Sequence, residues 1–169
     1  QKRKNMKQQI EPDVLKETMR AWITGVAIVT GAYEGVIHGM TANSFNSIAL
    51  SPPTVLVALR QHTRTQHLVR QGGVFGVSIL KVDQVDLAKR FAGQIDVGVP
   101  RFEGVETFTL STGAPLIKDG SAFFDCQVVN AFDVGETTVF FGEVLAAKKN
   151  SGDHHPLLYL NRRWRELAK

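Results

Sequence analysis

A mainly β chain with a few short helices is what this sequence predicts, and three observations carry the prediction. Side chains alternate with period two over several stretches, most clearly from Ser121 to Val128. Turn residues interrupt the pattern at short spacing, as at Tyr33-Glu34-Gly35, Ser51-Pro52-Pro53 and Gly72-Gly73. Only three short segments show helical spacing. Many strands, close turns and few helices point to a barrel with added helices.

In chain order, a first helix starts at Pro12-Asp13, spaces Val14, Leu15, Met19 and Trp22 along one side, and is stopped by Gly25. Strands follow over 26–30 and 36–40, then 45–50 and 54–59. A helix over 65–71 carries Leu68 and Val69 and stops at the glycine pair. A buried strand over 74–80 leads to a helix over 83–91, with Asp83 as its candidate cap and Val85, Leu87, Ala88 and Phe91 inside. The stretch 92–115 is glycine-rich and irregular apart from the alternating Val105, Thr107 and Thr109. In the last third, Ala122, Phe124, Cys126 and Val128 share one face and Phe123, Asp125 and Gln127 the other, and a further long strand covers 138–147.

The length, 169 residues, suits one domain, with 43% apolar and 21% charged residues excluding disordered and fibrous classes. A chain of this size buries roughly 70% of its unfolded surface, enough for one core without staples. The net charge of +4 is concentrated in residues 1–9, which hold Lys2, Arg3, Lys4 and Lys7 and no acid; basic and acidic residues balance over 10–169. That is a flexible basic tail on a neutral domain, not the basic face of a nucleic-acid binder. The closing Arg162-Arg163-Trp164-Arg165 reads as a solvated end. The uncharged run from Gly35 to Leu59 is long enough to span a membrane, but His38, Asn43, Asn46 and Pro52-Pro53 argue against that. Cys126, the single cysteine, sits in an alternating strand and reads as buried and inert; it allows no intrachain disulfide, which fits a cytoplasmic protein. Five scattered histidines at no ligand spacing predict no metal site.

The segment Gly39-Met40-Thr41-Ala42-Asn43-Ser44-Phe45, followed by Ser47, Leu50 and Pro52-Pro53, resembles the flavin reductase-like family. The likeness continues through Thr63-Arg64-Thr65, Gly73-Val74-Phe75, Lys89-Arg90-Phe91-Ala92, Phe141-Gly142-Glu143-Val144 and Pro156-Leu157-Leu158-Tyr159, nearly the whole chain. The resemblance implies an FMN-binding split barrel, a homodimer with FMN or FAD near the dimer interface, and hydride acceptance from NADH or NADPH. It also implies release of reduced flavin to a partner monooxygenase.

The residues suit that chemistry. Met40, Thr41, Ala42, Asn43 and Ser44 form a polar loop whose hydroxyl, amide and main-chain groups match the polar edge of an isoalloxazine, although such a loop is also an ordinary turn. Ala58, Leu59 and Arg60 end a strand beside it. Thr63, Arg64 and Thr65 sit just before a short helix, and hydroxyls, guanidinium and free helix N–H groups together make a phosphate seat. The resemblance assigns flavin contact to Arg90 and Phe91 as well, Arg90 reaching the phosphate across the site. On the nicotinamide side, family members commonly read Gly-Asp-His where this chain has Gly135-Glu136-Thr137, so Thr137 stands in place of an imidazole. His155, with its neighbour His154, is a candidate substitute, and Tyr159 a nicotinamide neighbour by family position. His38 precedes the flavin loop, whereas His62 and His67 read as surface residues. The implied activity is NAD(P)H-dependent flavin reduction; Thr137 keeps open a flavin-binding protein without a productive nicotinamide site.

Overall fold

A computed structural model describes residues 9–95, 98–152 and 154–168. The predicted basic tail lies, but for residue 9, outside them. The chain runs α1 (Pro12–Met19), β1 (Thr24–Gly25), β2 (Ala27–Tyr33), β3 (Val36–Ala42), β4 (Asn46–Leu50), β5 (Pro53–Arg60), α2 (Arg64–Gly72) and β6 (Val74–Ile79). A 3-10 turn (Val82–Gln84) then leads to α3 (Val85–Phe91), β7 (Thr107–Phe108), β8 (Leu116–Ile117), β9 (Ala122–Val134), β10 (Thr137–Lys149), β11 (Leu158–Leu160) and β12 (Arg163–Arg165).

Seven strands form one antiparallel sheet in the order β3-β2-β6-β9-β10-β5-β4. Its inner face holds the main core: Val29 of β2, Ala42 of β3, Val55, Val57 and Leu59 of β5, Phe75 and Val77 of β6, Cys126 of β9 and Phe140 of β10. Residues from the β3 side and from β5, near the opposite edge, therefore share one core. A second cluster, built around Ile28, Leu80, Ala88, Phe91 and Leu157, fixes α3 and the three-stranded sheet β1-β11-β12 against the back of β2. The architecture is mainly β with a few short helices.

Most expected elements form within two or three residues of their predicted bounds, and the departures have local causes. The first helix ends at Met19 rather than reaching Trp22, with Arg20 as its cap, and no residue of α1 is buried. Asp83 caps no helix: it lies in the 3-10 turn, where the Gln84 side chain accepts from the Lys81 amide at 3.0 Å. Helix α2 is closed at both ends, by Thr63 Oγ1 accepting from the Gln66 amide and by Gly73 at φ 66°, a left-handed conformation that glycine enters freely. In β9 the alternation read from sequence sets Asp125 and Cys126 on opposite faces, and both are fully buried. The Asp125 carboxylate accepts from the amides of Ser111 (2.6 Å) and Thr112 (2.8 Å) and from the Thr112 hydroxyl, so the irregular loop covers what would have been a solvent face. Cys126 is buried as expected, and burial together with the charge of Asp125 pushes its thiol up to about 12. No helix among the described residues is long and apolar enough to cross a membrane.

Candidate functional site

The loop between β3 and β4 carries the central residues, and its side chains divide into anchored and open ones. Thr41 donates to the Ala88 carbonyl of α3 at 2.6 Å. Ser44 donates to the Ala58 carbonyl (2.7 Å) and accepts from the Ala58 amide (3.2 Å), tying the loop to β5. Asn43, between them, is exposed and lines three adjoining clefts. One of about 350 Å³ runs past Trp22, Thr24 and Phe45. One of about 440 Å³ is bordered by Arg20, Trp22, Tyr159 and Arg162. The smallest, about 150 Å³, lies between Thr41, Gln94, Tyr159 and Trp164. Tyr159 and Trp164 are cross-strand partners in β11 and β12, their rings 5.1 Å apart; Tyr159 lines the second and third clefts and Trp164 the third. Met40 is half-buried against the main core and Ala42 lies within it.

A cationic group sits below this loop. His38 Nδ1 lies 2.8 Å from Thr65 Oγ1, at the start of α2, next to Arg64. The carbonyl of Gly39 accepts from Arg101 Nη1 at 2.9 Å. Arg101 is thus tethered to the residue after His38, and Arg64 adjoins the Thr65 that His38 contacts. Partial burial, then the charges of Arg101 and Arg64, push His38 down to about 4, so the imidazole is neutral at physiological pH. Gly39 has no room for a side chain, since a Cβ would stand 3.0 Å from the Phe91 ring.

Several expected contacts take a different form. The Phe91 ring is fully buried in the second core, edge-on to Phe102 at 5.1 Å, and supports Gly39 from beneath. Leu59 is a core side chain too, which leaves only its main chain to face a ligand. Arg90 does not reach across the site. Its Nη2 donates to the carbonyls of Pro100 (2.8 Å) and Glu103 (2.7 Å), fastening the irregular loop, and the second cation near Arg64 is Arg101. Arg60 is exposed and pairs with Glu136 at 3.6 Å, a surface contact of small energetic weight.

The nicotinamide candidates are not gathered in one place. Thr137 opens β10 opposite Arg60, with its carbonyl 3.5 Å from Gln61 Nε2. His154 is held by the Asn150 carbonyl at 3.0 Å, just past the other end of β10. A strand of 13 residues separates the two by about 40 Å along the chain direction. His155 is exposed, its carbonyl accepting from Val82, and lines none of the three clefts. Within one chain, neither histidine takes the place of an imidazole at 137. His62 and His67 are exposed. Among the described residues no three His, Cys, Asp or Glu side chains come together as a metal site.

Sequence reasoning missed Arg101, Trp22, Trp164 and Arg162. Arg101 lies in a stretch without periodicity, and nothing local marks it.

The fold thus sets a polar strand-end loop at the meeting of three clefts, with His38, Arg64 and Arg101 further back along the same strand. The family model "Flavin reductase like domain" matches residues 19–168, and the chain belongs to the flavin reductase-like family. Among its relatives, the NADH-dependent flavin reductase StyB of Pseudomonas fluorescens is 32% identical over 96% of this chain and 94% of its own. A NADH-dependent flavin reductase of Rhodococcus is 31% identical over 94% and 90%. The solved structure of the flavin reductase PheA2 in its native state superposes with a TM-score of 0.86 at 35% identity, covering 95% of this chain and all of that one. The Streptomyces globisporus NADH:FAD oxidoreductase SgcE6, solved with NAD and FAD fragments, gives 0.84 at 31%, covering 95% and 96%.

Proposed function

We infer that the protein is an NAD(P)H-dependent flavin reductase that passes hydride to FMN or FAD and supplies reduced flavin to a partner monooxygenase. Membership of the family supports the activity. The observation that carries the site is the exposed Asn43 at the junction of three clefts, just past the end of the strand on which His38 meets Thr65 and Gly39 meets Arg101.

The donor set fits a flavin mononucleotide. Asn43 offers an amide to the polar edge of the ring, while Thr41 and Ser44, their hydroxyls already used, hold the loop main chain still beside it. Arg64 and Arg101 offer charge-assisted donors to a phosphate, and neutral His38 orients the Thr65 hydroxyl between them. When both nucleotides are bound, the nicotinamide supplies a hydride at C4 and the flavin ring accepts it at N5; no protein acid is required at either carbon or nitrogen. The work of the protein is to hold the two rings in contact at about 3–3.5 Å and keep water out. Tyr159, Trp164 and Trp22 wall the space above the loop in which the second ring would lie. Thr137 lies opposite Arg60 at the end of β5, outside those clefts.

We also propose that the seven-stranded sheet is a split barrel, supported by the shared core of β3 and β5 and by the Ser44–Ala58 bonds between those flanks. A homodimer is supported by apolar surface that one chain leaves open: Val14, Leu15 and Met19 on α1, Ile48 and Leu50 on β4, and Val129, Phe132 and Val134 on β9. Use of NAD(P)H and a single free cysteine support a cytoplasmic location. Steady-state oxidation of NADH or NADPH, followed at the nicotinamide absorbance, tests the function: oxidation must depend on added FMN or FAD. A protein that oxidises neither nucleotide in the presence of either flavin overturns it.

A further inference from the structure

Helix α3 closes on two residues that hold one turn of the loop beyond it. Residues 100–103 form that turn, in which the Glu103 amide donates to the Pro100 carbonyl at 2.9 Å. Arg90 fastens both of its ends: a single nitrogen, Nη2, donates to the Pro100 carbonyl at 2.8 Å and to the Glu103 carbonyl at 2.7 Å. Phe91 fastens its middle through the edge-on contact with Phe102 at 5.1 Å. The fourth residue of the turn is Arg101, and its side chain leaves in another direction. Its Nη1 donates to the Gly39 carbonyl of β3 at 2.9 Å, and its Nη2 lies over Gly93, where a Cβ would stand 3.3 Å away.

An arginine has a long, flexible stem, so where its guanidinium arrives depends on how firmly its own backbone is held. Residues 101–104 belong to no strand or helix, and no ladder holds them. The charge-assisted bonds from Arg90 do this work on either side of Arg101. Arg90 itself lines none of the three clefts beside Asn43.

We propose that Arg90 is a positioning residue, which holds the turn 100–103 so that Arg101 is set against β3 and can meet the flavin phosphate. The ligand in this proposal rests on the flavin reductase reading; the placing of Arg101 by Arg90 does not. Loss of Arg90 then costs only what Arg101 contributes.

A double-variant cycle tests this, using Arg90→Met, which keeps an apolar stem and removes the donors, together with Arg101→Ala. The Kd of FMN relative to riboflavin should rise about fivefold in Arg90→Met. Adding Arg90→Met to Arg101→Ala should change that ratio by less than about twofold. The imidazole of His38 gives a second readout that needs no ligand. It takes up its proton only near 4, in part because Arg101 and Arg64 stand beside it. Titration of His38 by NMR should therefore move upwards in Arg101→Ala and in Arg90→Met, and no further in the double variant. A loss of stability alone would lower the Tm and leave His38 where it is. Phe102→Leu, which loosens the same turn without removing a charge, should move His38 the same way by less. A further loss of FMN selectivity when Arg90→Met is added to Arg101→Ala would show Arg90 meeting the phosphate itself and overturn the proposal. So would a His38 that moves in Arg101→Ala but not in Arg90→Met. If both variants move His38 and neither changes the ratio of FMN to riboflavin, the placing of Arg101 stands and its phosphate contact is overturned, so a failure of the flavin reading is seen separately.

Discussion

The flavin side and the nicotinamide side of this molecule are built differently. The flavin side is knitted within a short radius. Residues 38 to 44, 58 to 65 and 101 are joined by the bonds Ser44–Ala58, His38–Thr65 and Arg101–Gly39. The nicotinamide candidates are scattered: Tyr159 borders the clefts, Thr137 sits at the Arg60 rim, and His155 lies with the turn that follows β6. The difference teaches that one chain's own bonds tie the proposed flavin residues together, while the nicotinamide candidates are not brought to one place.

The largest expected effect breaks the flavin side. Arg64→Ala should weaken FMN by about 1.5–3 kcal/mol, roughly ten- to 150-fold in Kd, and leave riboflavin nearly unaffected. Fluorescence titration with both ligands checks this, and equal losses would mean that Arg64 acts through packing. Arg101→Ala should show the same selectivity with a smaller total, because one of its donors already serves Gly39.

A pH effect comes next. In the unfolded chain His38 takes up its proton near pH 6.5, but in the fold only near 4. Between those values the unfolded state binds the extra proton, so stability is fully present above pH 6.5 and declines as pH falls towards 4. Because His38 is half-buried, solvent screening makes the loss smaller than the full shift implies. Melting curves across that window should slope downwards with acid for the wild type and flatten for His38→Gln.

The nicotinamide side can be sharpened rather than broken. Thr137→His restores a ring beside Arg60, and one neutral hydrogen bond of about 0.5–1.5 kcal/mol corresponds to a roughly 2- to 13-fold lower KM for NADH. The same kinetics on His154→Ala should give values within twofold of the wild type. A KM that rises with His154→Ala and stays fixed with Thr137→His would reverse the comparison.

Ser44→Ala gives the smallest loss of stability. Removing the hydroxyl that bonds both main-chain groups of Ala58 costs about 1 kcal/mol, seen as a Tm lower by about 2–4 °C.

Much of this was legible in the sequence because it is local. The short helix after Thr63-Arg64-Thr65, the polar run at 41–44 and the strand over 54–59 are all patterns within one element. The burial of Asp125 was not legible, because alternation marks faces, not what covers them, and the covering loop begins 14 residues away at Ser111. That Arg90 fastens a loop while Arg101 reaches Gly39 was out of reach for a similar reason. Which of two arginines fastens a loop and which faces a strand depends on the path of residues 92–106, where glycine and proline leave no period to follow. Phe91 offered both a core and a ligand reading, and only the absent side chain of Gly39 shows why the ring must sit beneath the strand.

Anaerobic mixing of the protein with FMN and NADH tests the central claim most directly. The account predicts bleaching of the flavin's visible absorbance with one NADH consumed per flavin reduced, and with the two spectral changes in step. An unchanged flavin spectrum in the presence of excess NADH, with FMN binding shown by titration, would contradict it and leave a protein that holds flavin without reducing it.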